Sequence, residues 1–192
     1  MQDQIFSVGD VVGKGPYVVG ALRKLKNIKA GIVRGNHDEA ALLAAEMPEK
    51  FRSEKQKEYL RQLMDTQTDW ITEIAYWPLH LEFSDLFLVH AGLEPGKNHP
   101  VEMNPSILQN IRTWDGKGEH LNRKDHPPWF ECINPMKRVV FGHWAKRGKV
   151  DLPMFKGLDT GCVYGGMLTG WCPEEDKFYA VKSQAAYVSI HD

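Results

Sequence analysis

Four times in this chain of 192 residues an apolar run stops at a polar group flanked by glycine. Residues 5–8 run into Gly9-Asp10-Val11-Val12-Gly13-Lys14-Gly15-Pro16, and residues 28–33 into Arg34-Gly35-Asn36-His37-Asp38. Residues 87–89 run into His90-Ala91-Gly92, and residues 138–141 into Gly142-His143. Short apolar runs closed by turn residues read as buried strands opening into loops. In open α/β sheets the crevice beyond the carboxyl ends of the strands is where ligands bind, so four such strands can deliver Asp10, Asn36, His37, His90 and His143 to a single site. Carboxylate, amide oxygen and imidazole together form a mixed oxygen and nitrogen donor set, which suits Mn, Fe, Zn or Mg. The glycines permit the sharp turns and close backbone approach that such a site requires.

Between the first two runs, Val18, Val19, Leu22 and Leu25 recur at helical spacing with Arg23, Lys24 and Lys26 outside, which completes a strand, helix, strand unit. Asp38 is expected to cap a helix over 39–47 that Pro48 stops. Ser53 with Gln56 forms a capping box for a helix through Tyr59, Leu60, Leu63 and Met64. Thr68 or Asp69 starts a third helix, with Trp70, Ile71, Ile74 and Ala75 on its apolar face and Pro78 at its end. Leu79, Leu81 and Phe83 alternate with polar residues, Ser84-Asp85 turns the chain, and 87–89 returns, which predicts a hairpin. In the irregular stretch 94–135 only 106–114 reads as helical, and strands are expected near 158 and over 167–171, 177–182 and 187–190. The chain begins α/β and finishes mostly β.

No repeat or linker interrupts the chain, so residues 1–192 read as one domain, with 42% hydrophobic and 26% charged residues to build it. A formal net charge of −1 removes the footprint of a general nucleic-acid binder. No apolar run approaches the ~20 residues that span a bilayer, and MQDQIFSVGD lacks the basic and apolar regions of a secretory signal. Cys132, Cys162 and Cys172 form no CxxC pair, so free thiols in a reducing compartment are expected.

At their order and spacing of 26, 54 and 53 residues, Asp10, Asn36, His90 and His143 resemble the ligand set of the calcineurin-like metallophosphoesterases, within the phosphoprotein-phosphatase superfamily. The stretch Gly157-Leu158-Asp159-Thr160-Gly161-Cys162-Val163-Tyr164-Gly165-Gly166 is similar to the C-terminal signature of the bacterial-type branch that includes symmetrical diadenosine tetraphosphatase. The resemblance implies an α/β two-sheet sandwich flanked by helices and a hydrolase that uses two divalent ions. It implies that Asp10 bridges those ions, that Asn36, His90 and His143 complete the second metal site, and that His37 is the general acid. Lys14 and Arg34 are then expected to hold phosphate oxygens, the Arg by fork-like contact and the Lys as a point charge.

The protein-phosphatase branch usually has an Asp three residues after the bridging Asp, where it orients the catalytic His, with an Arg following. Here Gly13 and Lys14 stand in those places. That pattern resembles the tetraphosphatase-like branch, whose members cleave dinucleoside polyphosphates, inorganic polyphosphate or capped RNA ends. A small polyphosphate or nucleotide is therefore the expected partner, and serine/threonine phosphoprotein phosphatase is the alternative within the enzyme class. The family's opening Asp-x-His-Gly, which supplies the other ligands of the first metal, has no counterpart here. A βαβ unit takes about 30 residues, so a strand and helix are expected to be missing before Met1. With them would go half the expected coordination, leaving an inactive phosphate-binding pseudoenzyme as the alternative of another class. The cytoplasm is the expected compartment for the sequence as given, with a vacuole or another compartment, reached through a missing N-terminal segment, as the alternative. Of the other histidines, His80 is expected to be merely exposed. His120 and His126 lie among Trp114, Trp129 and Phe130, where ordinary packing is favoured over nucleobase stacking. Lys137, Arg138, Lys146, Arg147 and Lys149 flank His143 as either an attractor of polyanions or a solvated loop.

Overall fold

Residues 3–189 are described by the computed structural model, which opens on the expected strand, helix, strand unit. β1 (Phe6–Ser7) and β2 (Gly31–Ile32) pair in parallel around α1 (Val18–Asn27). Both strands are shorter than their apolar runs. The helix continues to Asn27, Ile28 caps it, and Lys29 turns through a φ of 54°, so the chain becomes extended only at Gly31. α2 (Asn36–Glu46), α3 (Glu54–Gln62) and α4 (Trp70–Ala75) follow.

α2 begins earlier than the sequence suggests, and Asp38 is its third residue rather than its cap. Gly35 occupies the cap position with no side chain to offer, and the Asp38 carboxylate reaches back to accept the Gly35 N–H at 2.9 Å. Asn36 and His37 thus sit on the first helical turn, not on a loop. At α3 the expected box forms: Ser53 Oγ accepts from Gln56 N at 3.3 Å, and Gln56 Oε1 accepts from Ser53 N at 2.8 Å. Asp69 caps α4 by accepting from Thr72 N.

β3 (His80–Glu82) and β4 (Leu86–Val89) make the hairpin. After α5 (Pro105–Asn110) come β5 (Arg138–Phe141), β6 (Val150–Leu152) and β7 (Phe155–Gly157). Then follow β8 (Asp159–Thr160), β9 (Met167–Cys172) and β10 (Lys177–Lys182). β6, a short edge strand, escaped the sequence pattern. α5 stops at Asn110 instead of running to 114, because Arg112 N and Thr113 N both donate to Leu121 O and draw the chain away. Residues 187–189 form no strand, although Ala186 bridges Tyr164; position 190 lies outside the described residues.

The strands order as β3-β4-β5-β7-β6 in one sheet and β10-β9-β8 in another. β1-β2 is hydrogen-bonded separately, so the second layer of the expected sandwich is divided in two. Side chains along a strand alternate between faces. Leu86, Leu88 and Val140 accordingly meet Val33, Phe6, Val8, Leu158 and Trp171 between the layers. Phe87, Val89, Val139 and Phe141 point the other way, onto Ile107, Leu108 and Trp129. Val12, Leu22, Ala41, Tyr59, Trp70 and Ile74 join α1 to α4 in a third cluster. The parallel strands β1, β2, β4 and β5 therefore end on one edge, and that edge carries the polar motifs.

Candidate metal centre

Asp10 takes a φ of 56° immediately after Gly9, at 88°. A non-glycine residue in this left-handed region is uncommon and has to be held there by its surroundings. Asp38 does the holding: its Oδ2 accepts from Asp10 N at 2.8 Å as well as from Gly35 N, and its Oδ1 accepts from Val12 N at 3.0 Å. One fully buried carboxylate thereby locks the loop after β1 to the start of α2. Gly35 is required in that contact, since a Cβ there would lie 2.3 Å from Asp10 Oδ1.

Four donors meet beyond this clamp. Asn36 Oδ1 lies 3.1 Å from His90 Nε2 and 3.0 Å from His143 Nδ1, and Asp10 Oδ1 lies 3.4 Å from His90 Nε2. The remaining ring nitrogens are committed to backbone. His90 Nδ1 donates to Val8 O at 2.6 Å, and His143 Nε2 donates to Asn110 O at 3.2 Å. Carbonyls only accept, so those bonds fix both tautomers and leave His90 Nε2 and His143 Nδ1 as bare lone pairs facing two acceptor oxygens. Lone pairs facing lone pairs are satisfied together by a cation, and Asp10, Asn36, His90 and His143 fit a divalent one. Like Asp10, His143 is held at positive φ, 67°.

The electrostatics follow from this crowding. Burial disfavours the Asp10 charge, but His90 and His37 outweigh it and hold the carboxyl far below the usual range. Burial likewise opposes charge on His90, and Asp10 overcomes it to raise that ring. His143 falls to about 3, through burial first and then the charges of His90 and Arg112. Asp38 is pushed up to about 6 by burial and by Asp10, against the backbone donors that favour its ionised form.

Around the four donors stand further polar groups. His37 N donates to Asp10 Oδ1 at 3.0 Å, and His37 Nδ1 lies 2.9 Å from Tyr59 Oη. Lys14 Nζ donates to Tyr164 Oη at 2.8 Å, which joins the loop after β1 to the loop after β8. Arg34 turns elsewhere, its Nε 2.7 Å from Glu39 Oε2 and one terminal nitrogen donating to Ala75 O. Sequence reasoning missed Arg112, whose guanidinium feels the charges of Asp159, Tyr164 and Asp10 and whose buried Nε has no hydrogen-bond partner. It also gave Asp159 no role. That carboxyl is raised by burial, with Asp10 adding to the shift. Asp159 lies within the stretch 157–166 already singled out, whereas Arg112 belongs to no motif and only proximity in the fold marks it.

The calcineurin-like phosphoesterase model matches residues 2–169. The chain belongs to this family. A symmetrical bis(5'-nucleosyl)-tetraphosphatase of Vibrio parahaemolyticus is 29% identical, the match covering 87% of this chain and 83% of the relative. The enzyme of the same name from Shewanella oneidensis is also 29% identical, over 92% and 86%. These matches extend over 225 and 242 aligned positions, more than the 192 residues here, so the relatives carry residues within the match that this phosphoesterase lacks. A crystal structure described as that of a "putative diadenosine tetraphosphatase" superposes with a TM-score of 0.81 at 29% identity, covering 95% of this chain and 81% of the other.

Several of the other residues singled out in this phosphoesterase are engaged in packing or ion pairs. His80 packs edge-on to His99 and is half-buried rather than exposed. Trp129 is fully buried against Phe141 and Phe155, and Trp114 packs on the same cluster. Within the basic run, Lys137 pairs with Glu82, Arg138 covers Trp171 and Lys149 covers Phe178. The three cysteines are free. No helix among the described residues is long and apolar enough to cross a membrane.

Proposed function

We propose that this phosphoesterase hydrolyses the phosphoanhydride chain of dinucleoside polyphosphates, cleaving a tetraphosphate at its centre into two nucleoside diphosphates. The observation that carries the reading is the meeting of Asp10, Asn36, His90 and His143 around one point, in a chain whose relatives are named for that reaction. Those four residues would hold one divalent cation, Mn, Fe, Zn or Mg. Such ions, when bound, polarise phosphoryl oxygens and make water a nucleophile near neutral pH. The chain's own residues do the rest. Lys14, steadied by Tyr164, and Arg112, with an unused buried Nε, neutralise the non-bridging oxygens. Arg112 joins Arg34 in this part; the Arg34 guanidinium pairs with Glu39 at 2.7 Å and donates one terminal N–H to Ala75 O. His37 gives its Nε2 proton to the leaving oxygen. The relatives' names favour this substrate class over phosphoprotein and over an inactive phosphate binder.

The test is to strip the purified chain of metal, reload it with each ion in turn, and compare diadenosine tetraphosphate, inorganic polyphosphate and a phosphoserine peptide. The expected result is metal-dependent release of ADP alone from the tetraphosphate. Faster turnover of the phosphopeptide, or release of AMP with ATP, would overturn the reading.

A further inference from the structure

Tyr59 stands on α3, 22 residues beyond His37, where the sequence makes it one more apolar position of an amphipathic helix. In the fold its ring is 4% exposed and packs with Val12, Leu22 and Ala41. Its hydroxyl points out of that cluster and meets His37 Nδ1 at 2.9 Å, with the two rings edge to face at 82°. Gly13 makes room for the meeting. At a φ of 117°, a Cβ there would lie 2.8 Å from His37 Nδ1 and 3.0 Å from Tyr59 Cε1, so a side chain at 13 would displace one ring or the other. The same helix also holds Gly13: Gln62, one turn beyond Tyr59, donates its Nε2 to Gly13 O at 3.1 Å. Residues three apart lie on one helix face, and here that face grips the Asp10 loop through Gln62 and the His37 ring through Tyr59.

We propose that Tyr59 is the positioning residue of His37, its hydroxyl oxygen accepting the Nδ1–H bond so that Nε2 alone gains and loses the catalytic proton. The inference rests on the assignment of His37 as proton donor under Proposed function. In the protonated, acid form both ring nitrogens are donors, so the hydroxyl oxygen accepts from Nδ1 and the bond sets the direction in which Nε2–H points. Among the described residues Nε2 has no hydrogen-bond partner, so it is the nitrogen left to face a substrate. The step balances from the imidazolium: its Nε2 proton passes to the leaving phosphoryl oxygen as that oxygen's bond to phosphorus breaks, the neutral ring keeps Nδ1–H on Tyr59, and Nε2 takes up its next proton from solvent. Burial, with the charges of Asp10 and Asp38, raises the Tyr59 phenol, so the partner remains a neutral hydroxyl.

Tyr59→Phe keeps the ring and its packing and removes only the hydroxyl. A double-mutant cycle with His37→Asn in the full, metal-loaded chain tests the role, because residues that act through one another are not additive. Tyr59→Phe alone is expected to lower kcat about tenfold on an alkyl phosphate, less than the roughly 10²- to 10⁴-fold that losing the acid itself would cost. KM and metal content should stay unchanged, and the substitution should have no further effect in the His37→Asn background. Independently of activity, ¹⁵N spectra of the metal-loaded protein should show a single Nδ1–H tautomer of His37 in the parent and a mixture in Tyr59→Phe. Full kcat in Tyr59→Phe beside an impaired His37→Asn would remove the positioning role and leave the acid standing. An equal loss in both backgrounds would reduce Tyr59 to a packing residue, and identical tautomer populations would also sink the proposal. If His37→Asn itself turned over normally, the assignment of His37 would fall and the role of Tyr59 with it.

Discussion

Asp38 carries more of the site than any residue that faces it. Its carboxylate accepts the backbone N–H of Asp10, Val12 and Gly35, three donors from two loops that meet nowhere else in sequence. Asp38→Asn would turn amide hydrogens toward at least one of these donors, and a buried donor left unmet costs about 1–3 kcal/mol. We expect a loss of that size in urea unfolding, together with weaker metal binding by titration calorimetry, because Asp10 would no longer be held at positive φ. His37→Asn should behave in the opposite way, retaining the metal and stability but lowering kcat by about 10²- to 10⁴-fold on alkyl phosphates. The loss should shrink on p-nitrophenyl phosphate, whose leaving group needs no proton. An equal loss on both substrates would count against proton donation.

At the scale of elements, α3 matters because it presents Tyr59 and Gln62 to the site, and its register depends on how it begins. Ser53→Ala removes one half of the capping box and should cost about 1 kcal/mol, read from the urea midpoint at unchanged m-value. The turn after α3 is pinned by Asp65, which accepts from the Arg23 guanidinium, from Gln67 N and from Trp70 Nε1. Those bonds, Arg23 foremost, lower its carboxyl from the ordinary 3.8 to about 2. A carboxyl depressed in the folded state adds stability above its unfolded value and loses it as pH falls through the folded one. Asp65→Asn should therefore melt a few degrees below the parent at neutral pH, with the gap closing as the pH drops from about 4 toward about 2. A gap independent of pH would mean that packing, not the charge, is what Asp65 supplies.

For the molecule as a whole, the meeting of Asp10, Asn36, His90 and His143 ties together parts that the sheets leave apart. Asp10 follows β1, Asn36 opens α2, His90 follows β4 and His143 follows β5, so an ion bound at the proposed centre would link the small parallel pair to the five-stranded sheet. A ligand that binds only the folded state raises its stability with the logarithm of its concentration. Melting temperature should accordingly rise with added Mn and fall with chelator, and His143→Ala should abolish the dependence. Much of this was legible beforehand. Asp10, Asn36, His90 and His143 each follow an apolar run, and the Ser53 cap and the hairpin turn are local signals that a few neighbouring residues determine. Other features left no local trace. Asp38 looked like a cap because its bond to Gly35 spans three residues, whereas its bonds to Asp10 and Val12 cross 28 and 26. The pairing of Tyr59 with His37, the place of Arg112 near Asp10 and the Lys14–Tyr164 bond across 150 residues are marked by no local pattern. Which groups end up at the carboxyl ends of strands was decided by hydrophobic periodicity, a property of the chain alone. Which groups then orient, clamp and neutralise them was decided only when the layers packed, because a hydrogen bond depends on distance in space and carries no signature of distance along the chain.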